Sequence, residues 1–258
     1  MPTINFQVQG EGFPVILIHG FCLNHEMWSS TVDSLSNHFK VYAIDLPGFG
    51  KSQLDEHPIS LESIARSVVE WTEQVKIERA IFIGHSLGGY IALAIAESRP
   101  ALVYGLGLVH STAFADSEEN RVNRDRTLDF IYKHGHKKWI NAFVPSLFAN
   151  EKQPYCLSDI DRIKSIGKNT PLKTIEAYTL AMRDRKDRFE IWEAITGECL
   201  LIGGTEDIRI SQGVSEEHIY AREKVSGHIL SGIGHMAMFE DSGQFNQLLK
   251  DYLTKSTI

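Results

Sequence analysis

The sequence is short of the residues that mark several classes of protein. Its 258 residues hold three cysteines, Cys22, Cys156 and Cys199. That odd number at wide spacing builds neither a disulfide framework nor a zinc site, and reduced thiols in a cytoplasm are the simpler reading. No run of Lys and Arg occurs, and the formal net charge of −7 works against a nucleic-acid-binding surface. No apolar run approaches membrane-spanning length, and Met1-Pro2-Thr3-Ile4-Asn5-Phe6 lacks a basic segment followed by an apolar one. The expectation is a soluble cytoplasmic protein with no membrane partner. His-Glu-x-x-His and other clustered metal-ligand spacings are missing, as are phosphate-loop and dinucleotide glycine patterns. Chemistry on a small molecule, without metal or cofactor, is therefore expected. Disorder is excluded too, because 43% hydrophobic and 23% charged residues are ordinary globular values.

What the chain does have is centred on Ile81-Phe82-Ile83-Gly84-His85-Ser86-Leu87-Gly88-Gly89-Tyr90. Ala80 to Ile83 reads as a strand buried on both faces, and Tyr90 to Ala96 as a helix packed on it. Between them stands Gly84-x-Ser86-x-Gly88, the nucleophile-elbow pattern. A serine at so sharp a turn sits in strained backbone, and small residues two positions either side let neighbouring chain approach. The turn presents the Ser86 hydroxyl at the strand's end, where the helix N-terminus and the Leu87 N–H also point.

The rest of the chain alternates strand and helix. Asn5–Gln9 reads as an edge strand, closed by the turn Gly10-Glu11-Gly12. Pro14–Ile18, Val41–Ile44 and Val103–Val109 read as strands, the first two as continuous apolar runs of buried type. Trp28–Phe39 has helical spacing. Ser60 is a candidate N-cap for a helix to Val75. Asp45-Leu46-Pro47-Gly48-Phe49-Gly50-Lys51-Ser52 is a rigid loop full of turn formers. After His110 the pattern breaks. From about Ala115 to Phe189 the sequence is charged and helical, with helical periodicity over 123–132, 136–149, 158–168 and 171–183. Strands resume at Cys199–Gly204 and His228–Leu230, and a helix over Ser242–Leu253 closes the chain. Such alternation makes a parallel sheet with helices on both faces, and the interruption is too long for a simple loop. The expected division is a core of residues 1–114 and 190–258 with a helical cap of residues 115–189.

A serine hydroxyl needs a base oriented by a third group before it attacks anything at neutral pH. In a sheet of this kind the order is Ser, then Asp or Glu, then His. The strand Cys199–Ile202 runs into Gly203-Gly204-Thr205-Glu206-Asp207, and Asp207 is the expected acid, with Glu206 as its rival. His235, in the glycine-bearing loop after the last strand, is the expected base. The oxyanion formed on attack needs two N–H donors. Leu87 supplies one, and Phe21, in the loop His19-Gly20-Phe21, is the candidate for the other.

These motifs, His19-Gly20-Phe21, Asp45–Ser52, Gly84–Gly89, Gly204-Thr205-Glu206-Asp207 and Gly234-His235-Met236, together resemble the α/β-hydrolase superfamily. The resemblance covers essentially the whole chain outside the insertion. It implies an eight-stranded mostly parallel sheet, the insertion as a cap over the active site, and a structural role for Asp45–Ser52. Relatives often carry a proline soon after the acid, where this chain has Ile208-Arg209-Ile210. Haloalkane dehalogenases and epoxide hydrolases carry aspartate at the elbow, and Ser86 argues against both. The resemblance suggests a serine hydrolase that cleaves small carboxylic esters through an acyl-enzyme. Lactone or C–C bond hydrolysis with the same triad is the alternative. A non-catalytic ligand-binding role is a third reading, and the full triad argues against it. His110-Ser111-Thr112 either meets substrate or caps its strand. Trp139, Phe143, Leu147, Phe148 and Tyr178 serve the cap's own core or its pocket. Of these, His110, Trp139 and Phe143 stand as the substrate-contact candidates. Arg183, Arg185 and Arg188 read as a solvated face of the cap.

Overall fold

Apolar runs without polar alternation make strands only where helices cover both faces, and the computed structural model places them so. It describes residues 4–54 and 58–257; Met1 to Thr3, part of the segment read above for a leader, lie outside them. Strands β1 (Phe6–Gln9), β2 (Pro14–Ile18), β3 (Lys40–Ile44), β4 (Ala80–His85), β5 (Val103–Val109), β6 (Cys199–Gly204) and β7 (Val225–Leu230) form one sheet. Its order is β1-β3-β2-β4-β5-β6-β7. Only the β1–β3 pair is antiparallel.

The resemblance implied eight strands; among the described residues there are seven. Each apolar run of strand length has its place, and β1, with three of its four residues exposed, closes the β3 side as an edge. No further run of that kind stands among the described residues to extend the sheet.

Between strands, α1 (Ser29–Leu35), α2 (Leu61–Gln74), α3 (Leu87–Ser98), α9 (Gln212–Tyr220) and α11 (Ser242–Ser256) cover the sheet, with a single turn, α10 (Ala237–Glu240), before the last. Helix α2 packs on α3, and α1 on α11. Ser60 begins α2 as expected: its hydroxyl accepts from the Ser63 N–H at 3.1 Å, and Ser63 returns the bond at 2.9 Å. Between β5 and β6 run α4 (Glu118–His134), α5 (His136–Phe143), α6 (Leu157–Asn169), α7 (Leu172–Arg183) and α8 (Phe189–Ala194). The first four pack on one another (α4 on α5 and α7, α5 on α6), whereas α8 packs on α3 of the sheet's own layer.

Strand order reverses across β2, which lies between β3 and β4. In sheets of this type the crevice at such a switch point, past the strands' C-terminal ends, is where chemistry collects. The loops after β2, β4, β5, β6 and β7 carry Phe21, Ser86, His110, Asp207 and His235.

The loop after β3 is held by a buried charge. Asp45 accepts from the Asn5 amide at 2.7 Å, the His25 N–H and ring at 2.8 Å, and the Lys51 N–H at 3.0 Å. Gly50 makes this possible, since a Cβ there would lie 2.2 Å from the carboxylate. Burial alone would raise the Asp45 pKa, but the bonds from His25 and Lys51 hold it below the usual carboxylate range. The same bond raises His25.

Asp45→Asn is accordingly expected to lower unfolding free energy by about 3 kcal/mol, read by urea denaturation. The depressed acid contributes its stability above its unfolded value and loses it as pH falls; the raised histidine contributes below its unfolded value and loses it as pH rises. The difference between wild type and variant should therefore be widest between about pH 4 and about pH 6.5. A difference independent of pH would show that the pair is not what stabilises the loop.

Candidate active site

Ser86 sits between β4 and α3 with φ 49° and ψ −113°, a conformation that costs a non-glycine residue on the order of 1–3 kcal/mol and persists only where the surroundings impose it. They do so through packing and hydrogen bonds. A Cβ on Gly84 would lie 2.3 Å from the Gly88 backbone, and one on Gly88 would lie 2.3 Å from the Ile18 carbonyl. Ser86 donates its N–H to the Val109 carbonyl at 2.9 Å, and its own carbonyl accepts from the Ser111 hydroxyl at 2.7 Å. Ser111, for which substrate contact and strand capping were both open, thus braces the elbow. Leu87 opens α3, so its N–H lies in the first turn, which no intrahelical acceptor serves. The Phe21 N–H makes no backbone hydrogen bond among the described residues.

Asp207 and His235 meet. The His235 Nδ1–H donates to Asp207 Oδ2 at 2.8 Å, and both side chains are buried. Glu206, the rival acid, is exposed, and among the described residues its carboxylate bonds to the Thr205 hydroxyl alone. Asp207 Oδ1 accepts from the N–H groups of Arg209 at 2.8 Å and Ile210 at 3.1 Å. A proline at either position would lack that donor. Burial alone would raise the acid, but the charge of His235 and the bonds from both histidines hold it far below the carboxylate range.

The second histidine is His110. It does not line the cavity beside Ser86. Its ring is fully buried, with Nδ1 3.0 Å from Asp207 Oδ2 and Nε2 without a partner. It therefore carries its proton on Nδ1. The expectation that it meets substrate gives way to a place behind the acid, which it reaches with a φ of 47°. His110, Asp207 and His235 bring donor atoms within 4.8 Å of one another, as a cation site would. A cation on either Nδ1 would displace the proton that bonds to Asp207, so the arrangement as it stands holds protons.

Behind the elbow, His85 donates Nε2–H to the His235 carbonyl at 2.9 Å. Burial and the neighbouring histidines push its pKa well below the ordinary value, so the ring stays neutral. His19 is likewise structural: Nδ1–H donates to the Gly20 carbonyl at 2.8 Å and Nε2 accepts from the Leu46 N–H at 3.0 Å. Burial lowers it to about 4.

One buried acid not anticipated from the sequence fixes the histidine loop. Glu240 accepts from the N–H groups of Gly234 at 2.9 Å, Met236 at 3.0 Å and Ala149 at 3.0 Å. The His235 N–H donates to the Leu147 carbonyl at 2.7 Å. The loop that carries His235 is therefore fastened to the helical insertion.

Ser86, His235 and Phe21 line a cavity of about 650 Å³ that also touches Thr112, Phe143 and Leu147. Phe143 stacks on Trp139 with ring centres 4.4 Å apart, and both rings approach Phe21, at 6.5 and 6.0 Å. Leu147, Phe148 and Tyr178 are buried in the core, and the Tyr178 hydroxyl donates to the Pro47 carbonyl at 2.7 Å. The solvated-face reading fails for two of three arginines. Arg185 is buried on Asp116 and over the Tyr90 ring, and Arg188 is buried between Glu62 and Glu97. Only Arg183 sits at the surface, on Asp184 and Asp125.

Comparison with known proteins agrees with this architecture. A family model described as alpha/beta hydrolase fold matches residues 14–242, and the chain belongs to that family. A thermophilic esterase from Thermogutta terrifontis, solved with malate bound, superposes with a TM-score of 0.94 at 25% identity, covering 100% of this chain and 95% of that one. An enol-lactonase from Burkholderia xenovorans LB400 superposes at 0.89 with 22% identity over 98% and 97% of the two chains, a likeness of fold. In sequence, a pimeloyl-[acyl-carrier protein] methyl ester esterase of Vibrio cholerae is 41% identical over 94 residues, 36% of this chain and 35% of that protein. The dihydrolipoyllysine-residue acetyltransferase component of the acetoin cleaving system of Cupriavidus necator is 28% identical over 243 residues, 93% and 63% of the two. The chain thus matches less than two thirds of the length of either curated relative.

Glu240→Ala would strip three buried N–H groups of a charged acceptor. Thermal or urea unfolding is expected to show a loss of about 3 kcal/mol or more, and hydrogen exchange at Gly234 and Met236 should speed up. Unchanged exchange at both amides would mean that another group holds the loop.

Proposed function

We propose that this chain is a serine hydrolase acting on small carboxylic esters, with Ser86 as nucleophile, His235 as base and Asp207 as the acid that orients it. The observation that carries the reading is the His235 Nδ1–H on a buried Asp207, with His235 and Ser86 lining one cavity. A ring protonated on Nδ1 has its lone pair on Nε2, the state a general base requires. The esterase names among the relatives support the same reading.

The chemistry then runs as follows. Ser86 Oγ attacks the ester carbonyl carbon while His235 Nε2 takes its proton. The new C–O bond pushes the carbonyl electrons onto oxygen, which the N–H groups of Phe21 and Leu87 stabilise. Collapse breaks the bond to the alcohol, which leaves with the proton from His235. Water, deprotonated by His235, attacks the acyl-Ser86 ester; the acyl–Oγ bond breaks, the carboxylic acid is released, and Ser86 Oγ takes the proton back from His235. Residues 115–189 act as a cap, with Phe143 and Trp139 beside Phe21 shaping the acyl site. We place the protein in the cytoplasm, which its three free, buried thiols support.

A small fluorophosphonate should add one equivalent to Ser86, and Ser86→Ala should abolish ester hydrolysis. Labelling elsewhere, or full activity of Ser86→Ala, would sink the assignment. Asp207→Asn is expected to keep the fold and lower kcat by on the order of 10⁴, while Glu206→Gln stays near wild type; the reverse order would exchange the two acids.

For the cap, Trp139→Ala and Phe143→Ala should shift the preferred acyl length in a p-nitrophenyl ester series. Each misfitted methylene should be worth about 1–3 kcal/mol in kcat/KM. A lower Tm with an unshifted length profile would leave these rings a purely structural part.

A further inference from the structure

A second cavity, of about 270 Å³, shares Phe21, Phe143, Arg124 and Arg209 with the one that holds Ser86. Its charged lining has one sign: Arg124 and Arg209 face it, and among the described residues no carboxylate does. Arg209 sits in the segment after Asp207 where relatives often place a proline. Its backbone N–H serves Asp207, which leaves the side chain free to turn elsewhere. The guanidinium lies 5.1 Å from the centre of the Phe143 ring and donates Nη2–H to the Ser146 hydroxyl at 2.9 Å. No acid pairs with it among the described residues. Arg124 uses Nε on Asp116 at 3.0 Å, a carboxylate already held by the buried Arg185 at 2.5 Å. Its terminal nitrogens bond to nothing among the described residues. Burial, then the charge of Arg124, lowers the Arg209 pKa.

Arg124 shares its one carboxylate with Arg185 and Arg209 pairs with none, so positive charge gathers beside a small cavity that adjoins the one lined by Ser86. Planar guanidinium donors fit a carboxylate in two-point fashion, and such charge-assisted bonds are about twice as strong as neutral ones. We propose that Arg124 and Arg209 form a carboxylate subsite, and that the substrates are esters bearing a free carboxylate. The anion seats between the two guanidiniums while the ester carbonyl lies at Ser86. This rests on the esterase reading and adds to it the charge of the substrate.

The test compares matched pairs. Methyl hydrogen adipate is set against methyl 6-methylheptanoate, and 5-acetoxypentanoate against 5-methylhexyl acetate. In each pair an isopropyl group replaces the carboxylate, and the two pairs put the anion on the acyl and the alcohol side in turn. In wild type the anionic member of at least one pair should have the higher kcat/KM, by about tenfold or more at low salt, with the ratio falling as salt rises. Arg209→Gln and Arg124→Gln should each bring the ratio toward one, and Arg209→Glu should invert it. Adipate alone should raise the Tm of wild type and not of Arg209→Glu, a readout that needs no turnover. Ratios near one in wild type, or ratios unmoved by Arg209→Gln, overturn the subsite. If none of the four esters is cleaved and Ser86 takes no phosphonate, the esterase reading fails instead, and adipate binding alone then decides the subsite.

Discussion

The arrangement depends on burying one charge. Taking a carboxylate out of water carries a penalty of several kcal/mol that only well-aimed donors offset. Asp207 has four: the N–H groups of Arg209 and Ile210 on one oxygen, and the rings of His110 and His235 on the other. These donors come from the turn after β6, the end of β5 and the loop after β7. The acid therefore gathers three strand ends at one point, and each must sit where its donor reaches. The left-handed backbone of His110 follows from this requirement, as strain at one residue is a smaller cost than an unmet bond to a buried charge.

The insertion is fastened to the same machinery. Leu147 and Ala149 bond to the histidine loop and its anchor Glu240, while Thr174 and Tyr178 donate to the carbonyls of Gly48 and Pro47. Thus α7 rests on the loop that Asp45 organises, and the segment after α5 rests on His235. A displacement of these helices would strain the His235 loop, because the His235 N–H bonds to the insertion's own backbone at Leu147. Local opening of the two regions should be one cooperative event rather than two. This geometry links the helical insertion to both the His235 loop and the loop after β3.

The legible features in the sequence were those written in local backbone demands. Gly84 and Gly88 flank Ser86 because neighbouring backbone leaves no room for a Cβ, and that requirement shows as a motif. Asp207 and His235 stood out because each follows an apolar strand at a glycine-bearing turn. What stayed hidden was contact between distant side chains. Glu240 reaches Ala149 across 91 positions, and His110 reaches Asp207 across 97. Neither separation leaves a trace in periodicity. Arg185 and Arg188 were misread for the same reason. A charged residue in a polar helical segment reads as solvated, and only the fold supplies Asp116, Glu62 and Glu97 to make burial tolerable. The eighth strand came from likeness to a family rather than from any apolar run.

Charge at the scale of the whole chain and charge at the cavity point in opposite directions. The net charge of −7 would repel an anionic ester, if it acted as one. Yet at physiological salt exposed charges are screened beyond about 8 Å, so the distant carboxylates contribute little at the cavity mouth. Inside, water is displaced, the effective dielectric falls and nearby groups dominate. There the balance is set by Arg124 and Arg209 on one side, and on the other by Asp116, already shared with Arg185, and the exposed Glu119. The charge of Asp207 also reaches Arg209, where it opposes the effect of burial and of Arg124. A protein can therefore be acidic overall and still present positive charge at a cavity lined by Ser86.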